Sequence, residues 1–299
     1  VEGLINHDQG RTLEIIISHL KGLGYHVSYK LLDGQHFGLA QSRKRVYIVG
    51  TQIEEVPLTG FDITHATIRD IQEYGYPSIN NKFTKALLKH YPIELLVGMQ
   101  IKDKRGGENN VHSWDLEIKG KTSSRQRELL NTLLKERRKK HWAEEIGIDW
   151  MDGMPLTKEQ IQTFFDDPNL QDLLDDLAEK GYIAYEHPKK LVGKIRISDT
   201  TKVKGYNIIA GKLSFDFSKI LDPDGVAPTL VATDVSKLGI IDGKGIRRLT
   251  VREGLRMFGF PEDYDLSFLK YSEAFDLLGN TVCIPVIEAI AERIADYLA

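Results

Sequence analysis

Within its first fifty residues the chain spells out a helix, a strand, a loop and a second strand, and two strands alone cannot make a stable sheet. Leu13, Ile16, Ile17 and Leu20 recur at i, i+3, i+4 and i+7, the period of a helix with one buried stripe. Asp8 or Thr12 is placed to cap this helix, and Gly22 and Gly24 stop it. Tyr25-His26-Val27-Ser28-Tyr29-Lys30-Leu31 alternates with period two, as a half-buried strand does. Past Gly34 and Gly38 comes Val46-Tyr47-Ile48-Val49-Gly50, a short apolar run of the kind covered on both faces in α/β sheets. The opening therefore predicts one part of a layered α/β domain, completed by elements elsewhere. Val1-Glu2-Gly3 has no initiator Met and no frayed polar lead-in, so it reads as an interior stretch rather than a natural N-terminus.

Regularity returns only at the far end. Thr250 and Glu253 have the spacing of a capping box, and Gly259 and Pro261 close the helix that follows. A last helix opens after Gly279-Asn280-Thr281-Val282, with Ile287, Ile290, Ala291, Ile294 and Leu298 as a stripe lacking an obvious partner. Between about Thr51 and Gly245 the texture is irregular, with short strands expected at Tyr206–Ile209 and Lys212–Phe217. Residues 119–141 carry nine cations against Glu128 and Glu136, while residues 164–180 carry six acids against Lys180. These are either two solvated helices of opposite charge packed together, or the basic one tracks phosphates through Arg137, Arg138, Lys139 and Lys140.

Composition narrows the class of function. At 299 residues the chain has room for two domains, and 41% hydrophobic content supports a packed core. A net charge of −3 excludes a histone-like polycation. One cysteine, Cys283, excludes a disulfide framework and a multi-cysteine metal site. With apolar neighbours Val282, Ile284 and Pro285, it reads as a small buried hydrophobe rather than a nucleophile. The nine histidines lack metal-ligand spacing. The longest apolar runs, such as Ile15–Ile17, fall far below the ~18–20 residues of a membrane span. With no secretory leader in view, the cytoplasm is the expected location.

Four motifs in order then carry a resemblance. Gln41-Ser42-Arg43-Lys44-Arg45, followed by its strand, resembles the Gln-x-Arg-x-Arg motif of the cytosine-5 DNA methyltransferases. Arg248-Leu249-Thr250-x-Arg252-Glu253, closing on Gly259-Phe260-Pro261, resembles the motif after their target recognition domain. Gly279-Asn280-Thr281-Val282-x-x-Pro285-Val286 resembles their last motif, and Val1, Gly3 and Leu4 fit the end of their Glu-Asn-Val motif.

The resemblance implies an α/β fold: the C-terminal part of a Rossmann-like methyltransferase domain using S-adenosylmethionine, plus an irregular α+β target recognition domain. It assigns residues 1–58 and 246–299 to the catalytic domain and residues 59–245 to recognition of double-stranded DNA, with a charged helical insertion near 119–180. It places Arg45 beside the O2 of a flipped cytosine, with Arg43 and Gln41 bracing the pocket or touching backbone. It places Asn280, Thr281 and Val282 against the cofactor, and Thr229 and Leu230 near the flipped nucleotide. Gly106–Asn110 offers polar groups to base edges or forms a plain turn.

The departures are equally specific. The family's catalytic Pro-Cys, its glycine-rich cofactor loop, and the Glu and Asn of Glu-Asn-Val do not occur in these 299 residues. The expected function is thus the C-terminal half of such an enzyme, needing its N-terminal half or a complementary subunit, and neither a metal nor a membrane. A catalytically silent DNA-binding module, an activating subunit of a separate catalytic chain and a tRNA-methylating relative remain as alternatives.

Overall fold

The computed structural model describes residues 2–103, 109–209, 215–231 and 235–298. Gly106 to Glu108 of the expected base-reading segment, and the expected strand at 212–217 as far as Ser214, lie outside the described residues. So does the side chain of Leu298. Helices and strands mix throughout, as an α/β chain requires.

The chain divides into two compact units, one made of Val1–Ile79 with Ile220–Ala299 and the other of Asn80–Lys219. By their contacts residues 59–79 and 220–245 gather with the first unit. A single helical turn at Ile68–Ile71 buries Ile68 and Ile71 in the first unit's core, and the Ile79 N–H donates to the Ile246 carbonyl at 2.8 Å. These contacts bind residues 59–79 to the ends.

In the first unit, helix α1 spans Arg11–Gly22 and buries Leu13. Neither Asp8 nor Thr12 caps it. Gly10 is the N-cap residue, Asp8 is left-handed, and the Thr12 hydroxyl meets His7 Nδ1 at 2.6 Å. Strands β1 (His26–Asp33) and β2 (Lys44–Thr51) pair antiparallel, setting Leu32 opposite Arg45 and Asp33 opposite Lys44. Tyr47 and Val49 pack on the core, yet β2 stays half-buried rather than covered on both faces.

The second unit opens with α2 (Lys82–His90), whose Phe83 and Thr84 N–H groups donate to the Asn81 side chain at 3.0 Å. Strands β3 (Gln100–Ile101) and β4 (Asn110–Val111) run parallel. Helices α3 (Ser124–Glu136), α4 (His141–Ile146), α5 (Lys158–Gln162) and α6 (Leu170–Glu179) follow. They enclose a core that includes Leu129, Leu133, Trp142, Leu174 and Leu177. Strand β5 (Ile183–Glu186) pairs with β8 (Gly205–Ile208), and β6 (Lys189–Val192) pairs with β7 (Ile195–Ser198) as a separate two-stranded ribbon.

The chain returns to the first unit through the hairpin β9 (Leu238–Asp242) and β10 (Gly245–Arg248), then α7 (Val251–Arg256), α8 (Tyr271–Asn280) and α9 (Ile284–Leu298). Thr250 and Glu253 make the expected capping box. Gly259 ends that segment at φ +79°, and a side chain there would also meet the Pro285 ring at 2.5 Å, so only glycine fits. The stripe of α9 is not unpartnered. Val286 and Ile290 are buried in the core and Ala289 and Ile294 pack against it, while Ile287 faces out. Arg293 donates to the carbonyls of Pro57, Thr59 and Gly60, pinning that loop to α9.

Tyr271–Tyr297 is long and apolar enough by composition to cross a membrane, which the short runs in the sequence had not indicated. It is broken between α8 and α9, however, and Ala274, Phe275, Leu278, Val286 and Ile290 are spent on the core.

Candidate functional site

The turn between β1 and β2 is organised by Asp33, which is buried. Its carboxylate accepts the Arg43 N–H at 2.8 Å, the Ser42 hydroxyl at 3.0 Å and the Gln35 amide at 2.9 Å. That bracing fixes where Gln41, Arg43 and Arg45 point.

Gln41 is fully buried. Its Nε2 donates to the Met257 carbonyl at 3.1 Å, and its Oε1 accepts the Leu230 N–H at 2.9 Å. Arg43 reaches further. One terminal nitrogen donates to the Leu230 carbonyl at 3.0 Å, and the other to the carbonyls of Gly279 at 3.0 Å and Thr281 at 2.8 Å. Its guanidinium also lies 5.1 Å from the centre of the Phe258 ring. Burial and the neighbouring Arg45 charge pull its pKa below the usual guanidinium range. Two side chains thus tie together three segments more than 180 residues away in sequence. Both act on backbone, in a positioning role.

Arg45 differs. It is half-buried, and its described hydrogen bond runs from one terminal nitrogen to the adjacent Lys44 carbonyl at 2.7 Å. The rest of its planar donor fork is turned to no protein acceptor among the described residues, which suits a group that binds something else.

Asn280 and Val282 are exposed on the turn between α8 and α9. The Asn280 amide donates to the Asp276 carbonyl at 2.9 Å, and the Thr281 carbonyl is held by Arg43. The structure therefore brings Gly279 and Thr281, on the turn expected to meet the cofactor, to Arg43. Beside that loop a cavity of about 450 Å³ is lined by Lys30, His36, Phe37, Lys44 and Phe61, but Arg45 and Asn280 do not line it.

Other expected contacts are redirected. Leu230 is 2% exposed and sits in the core, so its side chain is not available to a nucleotide. The Thr229 hydroxyl donates to the Ser42 carbonyl at 2.7 Å. Arg137 is buried, with hydrogen bonds to Asn207 Oδ1 at 2.7 Å and the Ile208 carbonyl at 3.1 Å, which removes it from any phosphate surface. Arg138 is paired with Asp152 at 2.7 Å and Lys139 with Glu136 at 2.7 Å. Arg125 bridges to Asp167 at 2.6 Å. Within the basic stretch Arg125, Arg127, Arg138 and Lys139 are paired with acids, of which Asp167 lies in the opposing acidic segment. Lys140 alone of the four expected cations is exposed without an ion pair among the described residues.

Cys283 is buried, and burial pushes its thiol up to about 11. Sequence reasoning missed Asp33, and it missed a second buried group. Arg247 makes a bidentate pair with Glu253 at 2.9 and 2.8 Å and a further one with Asp242 at 2.8 Å. The Arg-Arg dipeptide ahead of the capping Thr250 was the available signal, but nothing in periodicity says which arginine turns inward.

Residues 1–296 match the profile of the family described as C-5 cytosine-specific DNA methylase. Over 306 residues the chain is 52% identical to the type II methyltransferase M.NlaIV of Neisseria lactamica, covering 100% of this chain and 72% of that one. It is 50% identical to M.NgoBV of Neisseria gonorrhoeae, with the same coverage. Identity to M.BanI of Aneurinibacillus aneurinilyticus is 37%, over 98% of this chain and 68% of the other. Among solved structures, S. pombe Dnmt2 methyltransferase aligns at 14% identity and a TM-score of 0.39, covering 100% of this chain and 65% of that one. Entamoeba histolytica methyltransferase EhMeth aligns at 13% and 0.40, covering 96% and 59%.

Proposed function

Because the chain belongs to the C-5 cytosine-specific DNA methylase family, we propose that it supplies the base-holding and target-recognition part of a type II DNA cytosine-5 methyltransferase. Members of this family are S-adenosylmethionine-dependent. In this reading residues 1–58 and 246–299 belong to the catalytic domain and residues 59–245 to recognition, with Asn80–Lys219 as its compact body. The target is a cytosine swung out of duplex DNA, because a reagent cannot reach C5 inside the stack. In this reading the protein works in the cytoplasm.

Carbon 5 of cytosine is a poor nucleophile, so the family's chemistry begins with thiolate addition at C6. Cys283 is unsuited to that step, being buried with a thiol pushed up to about 11. The nucleophile therefore comes from a Pro-Cys segment on the same protein or on a companion chain. Arg45 holds the base through O2 and offsets the negative charge that develops there. Gln41 and Arg43 keep that arginine in register by fixing the segments around it.

S-adenosylmethionine supplies, when bound, the electrophilic methyl group. The Asn280–Val282 turn fits one edge of it, presenting an amide, a hydroxyl and an exposed apolar side chain beside the start of α9. Small-molecule sites enclose most of their ligand, so this turn is one wall and the remaining walls belong to the glycine-rich segment.

The single observation carrying the reading is the contrast between Arg43, whose two terminal nitrogens are spent on three distant carbonyls, and Arg45, whose one described bond is to the adjacent Lys44 carbonyl. The test is Arg45→Ala in protein completed with the Pro-Cys segment. Methyl transfer should fall by about 10²-fold or more while duplex binding stays nearly intact. An unchanged rate would remove Arg45 from the site. A catalytically silent DNA-binding module is the second reading, favoured by the burial of the sole thiol, and it predicts no transfer even in the completed protein.

A further inference from the structure

The most exposed secondary structure in the second unit is the ribbon β6–β7, which pairs only with itself. Residues 187–198 contain Lys189, Lys190, Lys194 and Arg196 and no acid. Val192 is 53% exposed and Ile195 69%, and Leu191 and Ile197 are exposed as well. Gly193 makes the two-residue turn at φ +63°, the geometry that lets two strands continue their right-handed twist. Cross-strand pairing puts Lys190, Val192, Ile195 and Ile197 on one face and Lys189, Leu191, Arg196 and Ser198 on the other.

Two-stranded ribbons with both faces in water are marginal, so exposed aliphatic residues on both faces call for a partner. The charge selects it. Lys190 meets Asp199 at 3.2 Å at the base of the ribbon, and Arg196 reaches the Trp150 carbonyl at 3.4 Å. Lys189 and Lys194 have no acid partner among the described residues. In residues 119–141, by contrast, Arg125, Arg127, Arg138 and Lys139 are all paired with acids. A second copy docking edge to edge would set these cations against one another.

Resting on the reading above, we propose that β6–β7 enters the major groove of the DNA duplex as a recognition ribbon. The major groove, about 12 Å wide and 8.5 Å deep, admits a two-stranded β-ribbon. Four residues of strand extend roughly 13 Å, enough to reach its floor. The cations contact phosphates on the groove walls, and the aliphatic tip meets thymine methyl groups on the floor.

The test uses the full chain and a labelled 30-bp duplex of mixed sequence (a generic length), titrated between about 50 and 200 mM KCl, the range over which phosphate contacts are lost to salt. The variant Lys189→Ala/Lys194→Ala/Arg196→Ala should lose roughly tenfold or more in affinity and flatten the salt slope by up to ~2.7, at ~0.9 per lost contact. A photo-crosslinker replacing Ile195 should join to bases rather than backbone. Since none of these side chains lies in the core, the variants should keep the wild-type circular dichroism spectrum. Wild-type binding with an unchanged triple variant would overturn the ribbon assignment and leave the DNA reading standing. Failure of the wild-type chain to bind any duplex would overturn both. A triple variant that bound DNA normally but lost self-association would hand the ribbon to a second copy of the chain.

Discussion

Arg43 and Arg45 stand two residues apart and have opposite fates. The resemblance marked both as candidate site residues, but only the folded positions of Leu230, Gly279 and Thr281 reveal that Arg43 is spent on backbone. A sequence carries the residue type and its neighbours, whereas the acceptors for Arg43 lie 187 to 238 residues away. Cys283 was legible from its neighbours alone, because three apolar residues around a thiol offer no cation to lower its pKa. Its folded value is pushed up from 9.0 to about 11, burial being the largest cause. The raised value sets a sign. The neutral thiol's contribution to stability is complete below pH 9, the unfolded value, and is lost as pH rises through about 11. Cys283→Ala should therefore flatten the alkaline limb of the stability curve, by roughly 2–3 kcal/mol between those limits. Urea melts at pH 7 to 11 would measure it. Identical pH curves for wild type and variant would contradict the buried state of the thiol.

At the scale of elements, strongly periodic segments were readable, and of the two readings of the charged segments the helical one matches α3 and α6, joined by Arg125 and Asp167. Leu13, Ile16, Ile17 and Leu20 located α1, and Thr250 with Glu253 located the start of α7, because period and capping are local properties. The helices α2 and α5 were missed, as they span only Lys82–His90 and Lys158–Gln162 and carry too few turns to show a period. The net charge of residues 119–141 misled for another reason. Charge counts ignore partners, and Asp152, Asp167 and Glu117 lie outside the counted window. The β10–α7 junction shows the cost of such partners. Glu253 caps α7, pairs with buried Arg247 and accepts the Glu73 N–H at 2.8 Å. Glu253→Ala should destabilise the first unit by about 3 kcal/mol, because it removes the bidentate partner of a buried guanidinium and leaves it only Asp242. Arg252→Ala, which loses an exposed contact with Glu262 at 4.0 Å, should cost below about 1 kcal/mol. Equal denaturation midpoints for the two variants would refute the buried network.

For the whole molecule, the resemblance divides the chain by role at 58 and 245, while contacts gather it into compact units that change at Ile79 and Ile220. The ends fold as one unit because the apolar side chains of α8 and α9 need those of the β1–β2 turn, including Leu32, Phe37 and Leu39. Motifs mark chemistry, and chemistry does not mark where a compact body stops. Within that unit, the proposed mechanism divides the labour of methyl transfer. This chain holds the base and one edge of the cofactor, and a Pro-Cys segment attacks the ring. The most direct measurement is transfer of labelled methyl from S-adenosylmethionine to cytosine-containing duplex DNA, by this chain alone and by the chain joined to that segment. The proposal predicts no transfer by the chain alone, because its sole thiol is buried with a pKa near 11 and a covalent mechanism without its nucleophile has no comparable route. It predicts robust transfer once the segment is present. Transfer by this chain alone that disappears in Cys283→Ser would contradict it, and would make the buried thiol the nucleophile after all.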